Sequence, residues 1–323
     1  MRAVILRATP EGGVFEVTQA PDPVINEDQV LVRVRASGLN RGELITRANY
    51  RAGPPIINGI EYAGEVAAVG AQVEGFKVGD RVMGHGRQSM AELVATAPRA
   101  LMPIPEGMGF AEAAAFPNVF VTAHDALITN GSLKAGESVL INASSSGIGT
   151  AAVQIARVMG AGRVIGASRS AAKLARVAPL GLTHQVATDD QPLPAAVLAA
   201  TDGQGADIVI DSLGGPVLDD NLRSMALEGR LVSVGRTAGT RAELDLDWLS
   251  LRRLRIIGVT FRTRSASAAL ACVEACARDL LPFLRSGAIR PVVDACFPLE
   301  QLGDAHRRME SNAQVGKIIM LLD

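Results

Sequence analysis

The feature that most constrains the fold is a regular alternation of apolar strand-like runs and helical segments between residues 122 and 258. Helical patterns separate most of the runs and lie near residues 150–159, 170–178 and 217–226. The runs themselves occupy residues 138–142, 163–167, 184–187, 207–211, 229–234 and 255–259. Strands that alternate with helices of this length form a parallel sheet that is covered by helices on both faces.

A loop rich in serine and glycine follows the first strand of this alternation. Its sequence is NASSSGIG at residues 142–149, and it opens a helix. The free N–H groups at the positive end of a helix are suited to bind a pyrophosphate. The pattern lacks a full G-x-G-x-x-G, so an ordinary turn is the alternative. Its place as the first turn of the alternation favours a dinucleotide site, with contacts from Ser144, Ser146, Gly147, Ile148 and Gly149.

The end of the second strand discriminates between the two nicotinamide dinucleotides. An NAD site places an acidic residue there against the ribose 2′-hydroxyl, whereas an arginine suits the 2′-phosphate of NADP. Here the sequence is ASRS at residues 167–170, with Lys173 about one helical turn further on. Ser168, Arg169 and Lys173 therefore favour NADPH, although a solvated helix start with incidental charges is an alternative.

The chain before residue 122 has a different texture. Residues 30–35 alternate with a period of two, and strand-like runs at 65–69 and 81–83 lie between glycine-rich turns. This pattern predicts a partly open antiparallel barrel. Near the end of the chain, helices are predicted at 265–286 and 299–310 and a strand at 317–322, which we assign to the first domain. Residues 191–194 are interpreted as a surface loop.

Composition excludes several classes of protein. The chain has 323 residues, with 32 Lys and Arg against 33 Asp and Glu, and its aromatic content is 3%. Neither an electrostatic attraction to nucleic acid nor a set of stacking aromatic side chains is encoded, so we expect no nucleic-acid partner. Three cysteines exclude a disulfide framework and suit the cytoplasm. No apolar run of spanning length occurs, so we also expect no membrane association.

Several ordered motifs resemble those of the zinc-independent quinone oxidoreductases, a branch of the medium-chain dehydrogenase/reductase superfamily that is related to enoyl reductases. The match runs nearly end to end. It comprises GLNRGEL at 38–44, GIEYAG at 59–64, VGDRVMG at 78–84, AEAAAFP at 111–117, LKAGESVL at 133–140, DSLGG at 211–215, GRLVSVG at 229–235 and VGKII at 315–319. The loop departs from this branch's usual A-x-x-G-x-x-G because Ser146 replaces the middle glycine.

The resemblance implies an α/β architecture in which a Rossmann doubly wound parallel sheet is inserted into a GroES-like, partly open β-barrel catalytic domain. It divides the chain into the first part of the catalytic domain at 1–121, the NADP(H)-binding domain at 122–258 and a segment at 259–323 that returns to the catalytic domain. By resemblance alone, we expect a homodimer formed through the edge strand near residues 255–259.

Zinc is not expected in this chain. The zinc-dependent relatives place a cysteine and a histidine where Asn40 and Ile60 occur here, and an amide and an alkyl group cannot build a tetrahedral N/S site. Cys272 and Cys276 lie four positions apart on a predicted helix, which could be half of a metal site, but two small apolar core residues on one face are the simpler interpretation. Without a metal to polarise a carbonyl, hydride transfer to a quinone or an α,β-unsaturated carbonyl is the easier reaction.

The resemblance also assigns residues around the nicotinamide. Asn40 and Thr122 would hold the carboxamide, with the backbone near Phe261 assisting. Leu213 would flank the ribose, and Gly235 would lie near the nicotinamide. Some relatives place a tyrosine after the third strand against the 2′-phosphate, whereas this chain has acidic residues at 189 and 190.

Two side chains are candidates for acting on the substrate. Tyr50 could donate to a developing enolate or hydroquinone oxygen, or could be a surface-loop tyrosine. Arg262 and its neighbour Arg264 could attract an anionic substrate or could simply be solvated.

These observations predict an NADPH-dependent, metal-free reductase of a small-molecule quinone or enone. Two alternatives are open: an enoyl-thioester reductase, and a nucleotide-binding member of the family without significant catalysis.

Overall fold

A computed structural model describes residues 1–322, and within these residues the chain has sixteen strands and ten α-helices. The strands are β1 (Arg2–Arg7), β2 (Val14–Gln19), β3 (Val30–Gly38), β4 (Ile56–Ile57), β5 (Glu61–Val69), β6 (Arg81–His85), β7 (Leu93–Thr96), β8 (Leu101–Pro103), β9 (Ser138–Ile141), β10 (Arg163–Ser168), β11 (His184–Ala187), β12 (Ala206–Asp211), β13 (Met225–Ser233), β14 (Arg255–Gly258), β15 (Val293–Pro298) and β16 (Lys317–Leu321).

The helices vary from five to twenty residues in length. They are α1 (Arg41–Asn49), α2 (Phe110–Ala114), α3 (Pro117–His124), α4 (Gly147–Val158), α5 (Ala171–Val177), α6 (Leu193–Ala200), α7 (Leu218–Arg223), α8 (Leu246–Leu251), α9 (Ala266–Arg285) and α10 (Leu302–Glu310). A π-helical turn, Asp125–Asn130, follows α3 directly, and 3₁₀ turns lie at Pro98–Ala100, Ala178–Leu180, Gly215–Val217 and Leu299–Gln301.

The chain folds into two compact units. Unit 1 contains Met1–Asn118, Val273–Asp279 and the described residues from Arg290 onwards, and unit 2 contains Val119–Cys272 and Leu280–Ile289. Each unit has its own sheets and its own apolar core.

Unit 1 is built from two β-sheets. A seven-stranded sheet has the order β15-β16-β3-β5-β6-β8, with β7 paired to β3, and a three-stranded sheet has the order β2-β1-β4. The alternation predicted at residues 30–35 is confirmed by β3, on which Val30, Val32 and Val34 are buried in the core. The last strand, β16, lies antiparallel to β3, with Ile319 opposite Gly38. Strands β15 and β16 therefore belong to the same sheet as β3.

Unit 2 contains a six-stranded sheet in the order β11-β10-β9-β12-β13-β14, in which every neighbouring pair is parallel. This confirms the predicted Rossmann-type sheet, since the direction of chain progression reverses between β9 and β12. The two central strands are buried on both faces, as the apolar run at 138–142 predicted. Loops that follow β9, β10 and β12 leave the same edge of the sheet, where a ligand of such a fold binds.

Two predicted boundaries differ from the structure for physical reasons. Helix α4 begins at Gly147 rather than at residue 150 because the Ser146 hydroxyl accepts a hydrogen bond from the Gly149 N–H at 3.0 Å and caps the helix. The prediction of a surface loop at 191–194 is wrong at its end, because α6 already starts at Leu193. Proline is compatible with the first helical turn, where its missing N–H has no intrahelical partner.

The helices also bear on the expectation about membranes. No helix within residues 1–322 combines the length and the apolar character that crossing a bilayer requires.

Candidate active site

The loop between β9 and α4 forms a tight turn that depends on glycine. A Cβ atom at Gly149 would lie 2.4 Å from the Ala143 carbonyl oxygen, so a side chain there would displace the loop backbone. Ser144 is fully buried, and its N–H and hydroxyl donate to the Ala167 carbonyl at 3.0 and 3.2 Å. The hydroxyl of Ser144 therefore holds the loop against β10, and a direct phosphate contact from it would require that bond to break.

The residues predicted at the 2′-phosphate occupy the end of β10 and the start of α5. Strand β10 pairs directly with β9, so this segment lies beside the Ser/Gly loop at the same edge of the sheet. Arg169 is exposed and Ser168 and Lys173 are half-buried. The Ser170 hydroxyl caps α5 by accepting from the Lys173 N–H at 3.3 Å. A hydroxyl, a guanidinium and an ammonium group thus lie between the last residue of β10 and the first turn of α5.

The loop after β12 is held by a carboxylate that the sequence analysis did not single out. Asp211 is buried, and it accepts the N–H groups of Leu213 at 2.9 Å and Gly214 at 3.0 Å. Burial raises the pKa of Asp211, and these backbone hydrogen bonds oppose that rise. A Cβ atom at Gly235 would lie 2.7 Å from the Ser212 carbonyl oxygen, so the loops after β12 and β13 require a glycine to pack this closely.

The two arginines near residue 262 have different environments. Arg264 forms an ion pair with Asp125, whose side chain is only 1% exposed, and its guanidinium also contacts Cys272 and lies 4.8 Å from the centre of the Phe261 ring. Arg264 is therefore a structural cation in unit 2. Arg262 is exposed, so the predicted action on an anionic substrate stays a prediction for this residue alone.

Thr122, the other predicted carboxamide contact, lies on α3 and is buried. It belongs to unit 2, whereas Asn40 belongs to unit 1.

Asn40 lies at the N-cap of α1, and its side-chain amide is completely engaged within unit 1. Its Nδ2 donates to Glu61 Oε1 at 3.0 Å and to the Gly38 carbonyl at 3.2 Å. Its Oδ1 accepts from Lys317 Nζ at 2.7 Å and from Asn118 Nδ2 at 2.8 Å. An asparagine amide has two donor hydrogens and two acceptor lone pairs, so all four positions are used. The predicted contact with the nicotinamide stays a prediction that would require one of these bonds to exchange.

A buried ion pair holds this amide in place. Lys317 on β16 donates to Glu61 Oε1 at 2.6 Å, and the side chains are 5% and 0% exposed, respectively. Lys317 also donates to the Leu39 carbonyl, so its three ammonium hydrogens have three acceptors. The second carboxylate oxygen of Glu61 accepts the Asn118 N–H at 2.8 Å. Both charges are paired and fully hydrogen-bonded, which burial of charge requires.

A second buried carboxylate lies on the other side of Asn40. Glu43, the third residue of α1, accepts the Asn40 N–H at 3.1 Å and a hydrogen from Asn58 Nδ2 at 2.8 Å. Burial raises the pKa of Glu43 to about 7, against the hydrogen bond from Asn58, which lowers it. The network therefore contains one carboxylate that is paired with a cation and one that titrates near neutral pH.

Tyr50 is the C-cap of α1, and its hydroxyl donates to the Pro54 carbonyl in its own loop. The side chain is half-buried. Proton donation to a substrate from this hydroxyl stays a prediction, and it would require the loop contact to open.

Comparisons with known proteins agree with this fold. Residues 26–127 match the alcohol dehydrogenase GroES-like domain, and residues 147–275 match the family described as zinc-binding dehydrogenase. Quinone oxidoreductase-like protein 2 of Rattus norvegicus is 31% identical over 307 residues, which cover 94% of this chain and 87% of that protein. The chain belongs to the medium-chain dehydrogenase/reductase superfamily. It is an oxidoreductase with the nucleotide-binding fold of that superfamily.

Solved structures of this superfamily share the whole fold. The quinone oxidoreductase of Thermus thermophilus, also solved with NADPH, superposes with a TM-score of 0.84 at 33% identity and full coverage of both chains. A structure described as an NAD-dependent alcohol dehydrogenase superposes with a TM-score of 0.89 at 31% identity, again with full coverage. The similarity thus includes proteins described with either dinucleotide.

Some members of the superfamily bind zinc, but the side chains of this chain do not fit the ion. The positions that resemble the zinc ligands are Asn40 and Ile60, and the amide oxygen of Asn40 already accepts from the ammonium group of Lys317. Within residues 1–322 no group of three or more His, Cys, Asp or Glu side chains is arranged to hold a metal ion. A dinucleotide fits better, because the N-terminus of α4 follows β9 at the edge of the parallel sheet where such folds bind nucleotides.

A substitution of Lys317 tests how much the buried ion pair contributes to the stability of unit 1. We expect Lys317→Met to destabilise unit 1 by about 3–5 kcal/mol, because it leaves the buried Glu61 carboxylate without its cation. Hydrogen exchange of the β3 and β16 amides would measure the loss locally. The exposed pair of Arg253 and Glu228 provides a control, since Arg253→Met should cost less than about 1 kcal/mol. A cost for Lys317→Met equal to that of the control would contradict the role of the ion pair.

The raised pKa of Glu43 predicts that the stability of the protein depends on pH. Since the folded-state pKa of Glu43 is raised from 4.5 to about 7, the folded state binds more protons than the unfolded state between these values. Its contribution is therefore fully present below pH 4.5 and is lost as the pH rises to about 7, with a slope of at most about 1.4 kcal/mol per pH unit.

The comparison with Glu43→Gln isolates this contribution. Burial lowers the pKa of His306 to about 4, and this shift changes the stability with the opposite sign in the same pH range. The wild type and Glu43→Gln both retain His306, so its effect is the same in the two proteins. The free energy of unfolding by urea, measured at several pH values, should decline more steeply in the wild type. Parallel profiles for the two proteins would rule out the assignment.

Proposed function

We propose that the protein is an NADPH-dependent, metal-free reductase that transfers hydride to a quinone or an α,β-unsaturated carbonyl compound. The observation that carries this proposal is the cationic, acid-free end of β10 beside the β9–α4 loop. In this proposal the N-terminus of α4 would bind the pyrophosphate, and Arg169 and Lys173 would neutralise a 2′-phosphate.

The choice of substrate class follows from the chemistry of the Asn40 network. Addition of hydride to an isolated ketone places negative charge directly on the carbonyl oxygen, which metal-dependent enzymes stabilise with a cation. In a conjugated acceptor, hydride adds to the β-carbon and the charge spreads through the conjugated system to the oxygen. Hydrogen bonds and a proton from solvent can then complete the reduction. The ammonium group of Lys317 forms an ion pair with Glu61 and donates a hydrogen bond to Asn40. Its positive charge is therefore balanced by the Glu61 carboxylate.

The remaining sequence-predicted roles are part of the same proposal. Thr122 and Phe261 would contact the nicotinamide, Leu213 the ribose, and Arg262 an anionic group of the substrate. We propose residues 122–258 as the cofactor-binding part of the chain. We also propose a homodimer through β14, because this strand is the edge of its sheet and its Ile256 is 43% exposed.

The activity test is oxidation of NADPH, followed by its absorbance, with benzoquinone, a naphthoquinone, an alkenal and crotonyl-CoA as acceptors. Turnover of the first three and not of the thioester is the expected result. Turnover of crotonyl-CoA alone would instead favour the enoyl-thioester reductase. An inactive protein that still binds NADPH would be a nucleotide-binding member of the family without significant catalysis.

Arg169 should determine the preference between the two dinucleotides. We expect Arg169→Ala to lower the NADPH-to-NADH ratio of kcat/KM roughly tenfold or more, because a charge-assisted hydrogen bond contributes about 1.5–3 kcal/mol. Arg176→Ala provides a matched control, since this exposed arginine lies in the last turn of α5, the helix that follows Arg169. An unchanged ratio in Arg169→Ala would refute the assignment of the 2′-phosphate site.

A further inference from the structure

The hydrogen bonds around Asn40 assign a role to a neighbouring residue that the sequence analysis did not select. Asn118 is the second residue of α3 and the last residue of the first segment of unit 1. It is half-buried, unlike the buried residues on both sides of it. Asn40 has no hydrogen-bonding position left, whereas Asn118, whose side-chain amide contacts that of Asn40, still has one.

The backbone and the side chain of Asn118 are both fixed by the network. Its N–H donates to Glu61 Oε2 at 2.8 Å, which satisfies one of the free donors at the start of α3. Its Nδ2 donates one hydrogen to Asn40 Oδ1 at 2.8 Å. The buried pair of Glu61 and Lys317 thus determines where both amides lie.

The opposite end of the Asn118 amide contacts His85. The Nε2 atom of His85 lies 3.3 Å from Asn118 Oδ1, and because a carbonyl oxygen only accepts, His85 Nε2 is the donor. Burial lowers the pKa of His85, so the ring is neutral at neutral pH and carries this hydrogen on Nε2. A hydrogen bond to the amide oxygen polarises the amide and strengthens its N–H groups as donors.

One donor of this amide has no acceptor within residues 1–322. Nδ2 carries two hydrogens, and Asn40 takes one of them. The other is a polarised N–H on a rigidly held, partly accessible side chain. Such a donor stabilises an oxygen on which negative charge develops during a reaction.

We propose that Asn118 is the residue that hydrogen-bonds the carbonyl oxygen of the conjugated substrate, and that Asn40 is a positioning residue that holds it. This inference rests on the proposed function. As hydride adds to the β-carbon, the C=C electron pair shifts and an enolate forms, whose oxygen accepts the free Nδ2 hydrogen of Asn118. A proton from water then adds to the α-carbon. The substrate gains two electrons, the nicotinamide dinucleotide loses two, and no bond to the protein forms.

The test compares four proteins with NADPH and the best acceptor of the activity assay. Asn118→Ala should lower kcat roughly 10²-fold, as loss of one such donor does elsewhere, while the Kd of NADPH by calorimetry changes less than about twofold. Asn40→Ala should also lower kcat and leave that Kd unchanged, because a positioning residue acts through Asn118 and not through the cofactor. Asn49→Ala, an exposed asparagine on α1, should match the wild type.

A fifth protein keeps the test valid if the alanine variant does not fold. Asn118→Asp retains the size of the side chain, and its carboxyl can donate only when it is protonated. Its activity should therefore rise as the pH falls, relative to the wild type, which a purely structural role would not produce.

The outcomes separate the two proposals. If the wild type turns over none of the acceptors, the proposed function itself is refuted. An active wild type whose activity persists in Asn118→Ala within about threefold overturns only the role of Asn118. Asn40→Ala that weakens NADPH binding roughly tenfold or more, with Asn118→Ala unaffected, would return the contact to Asn40.

Discussion

The buried ion pair between Glu61 and Lys317 is the interaction on which the candidate site depends. It joins the start of β5 to the start of β16, and both side chains are almost completely removed from water. Burying two unpaired charges in this position would cost a prohibitive amount of free energy. The pair is stable because every carboxylate oxygen of Glu61 and every ammonium hydrogen of Lys317 has a hydrogen-bond partner. Those partners are the side-chain amide of Asn40, the backbone N–H of Asn118 and the backbone of the β3–α1 connection. One electrostatic requirement thus fixes several loops at once.

In unit 2, the corresponding constraint is steric. Parallel strands bring their carboxyl ends to one edge, so the loops after β9, β10 and β12 crowd together there. Glycine at positions 149 and 235 permits this approach, because a Cβ atom at either would meet a backbone carbonyl below 3 Å. The polar side chains in these loops mostly serve the loops themselves. Ser144 and Asp211, for example, bind backbone groups.

Elements with a strong local signal are predicted most accurately from the sequence. Strand β11 has the bounds predicted from the run at 184–187, and α9 differs from its prediction by one residue at each end. Prediction is weaker for residues whose environment comes from distant segments. Asn40 is selected by resemblance, but the ammonium group that contacts it lies 277 residues further along the chain. Arg262 and Arg264 look alike in sequence, and only the position of Asp125 makes one of them structural.

By itself, the sequence determined the fold class, the order of the elements and the position of the Ser/Gly loop, because hydrophobic periodicity and glycine placement are local properties of the chain. Its ordered motifs determined the family. Tertiary structure decided which polar groups are used up and which can still bind. Hydrogen bonds saturate, so the capacity of an amide depends on every neighbour the fold supplies. Asn40 is saturated and Asn118 is not, although nothing in the two local sequences distinguishes them.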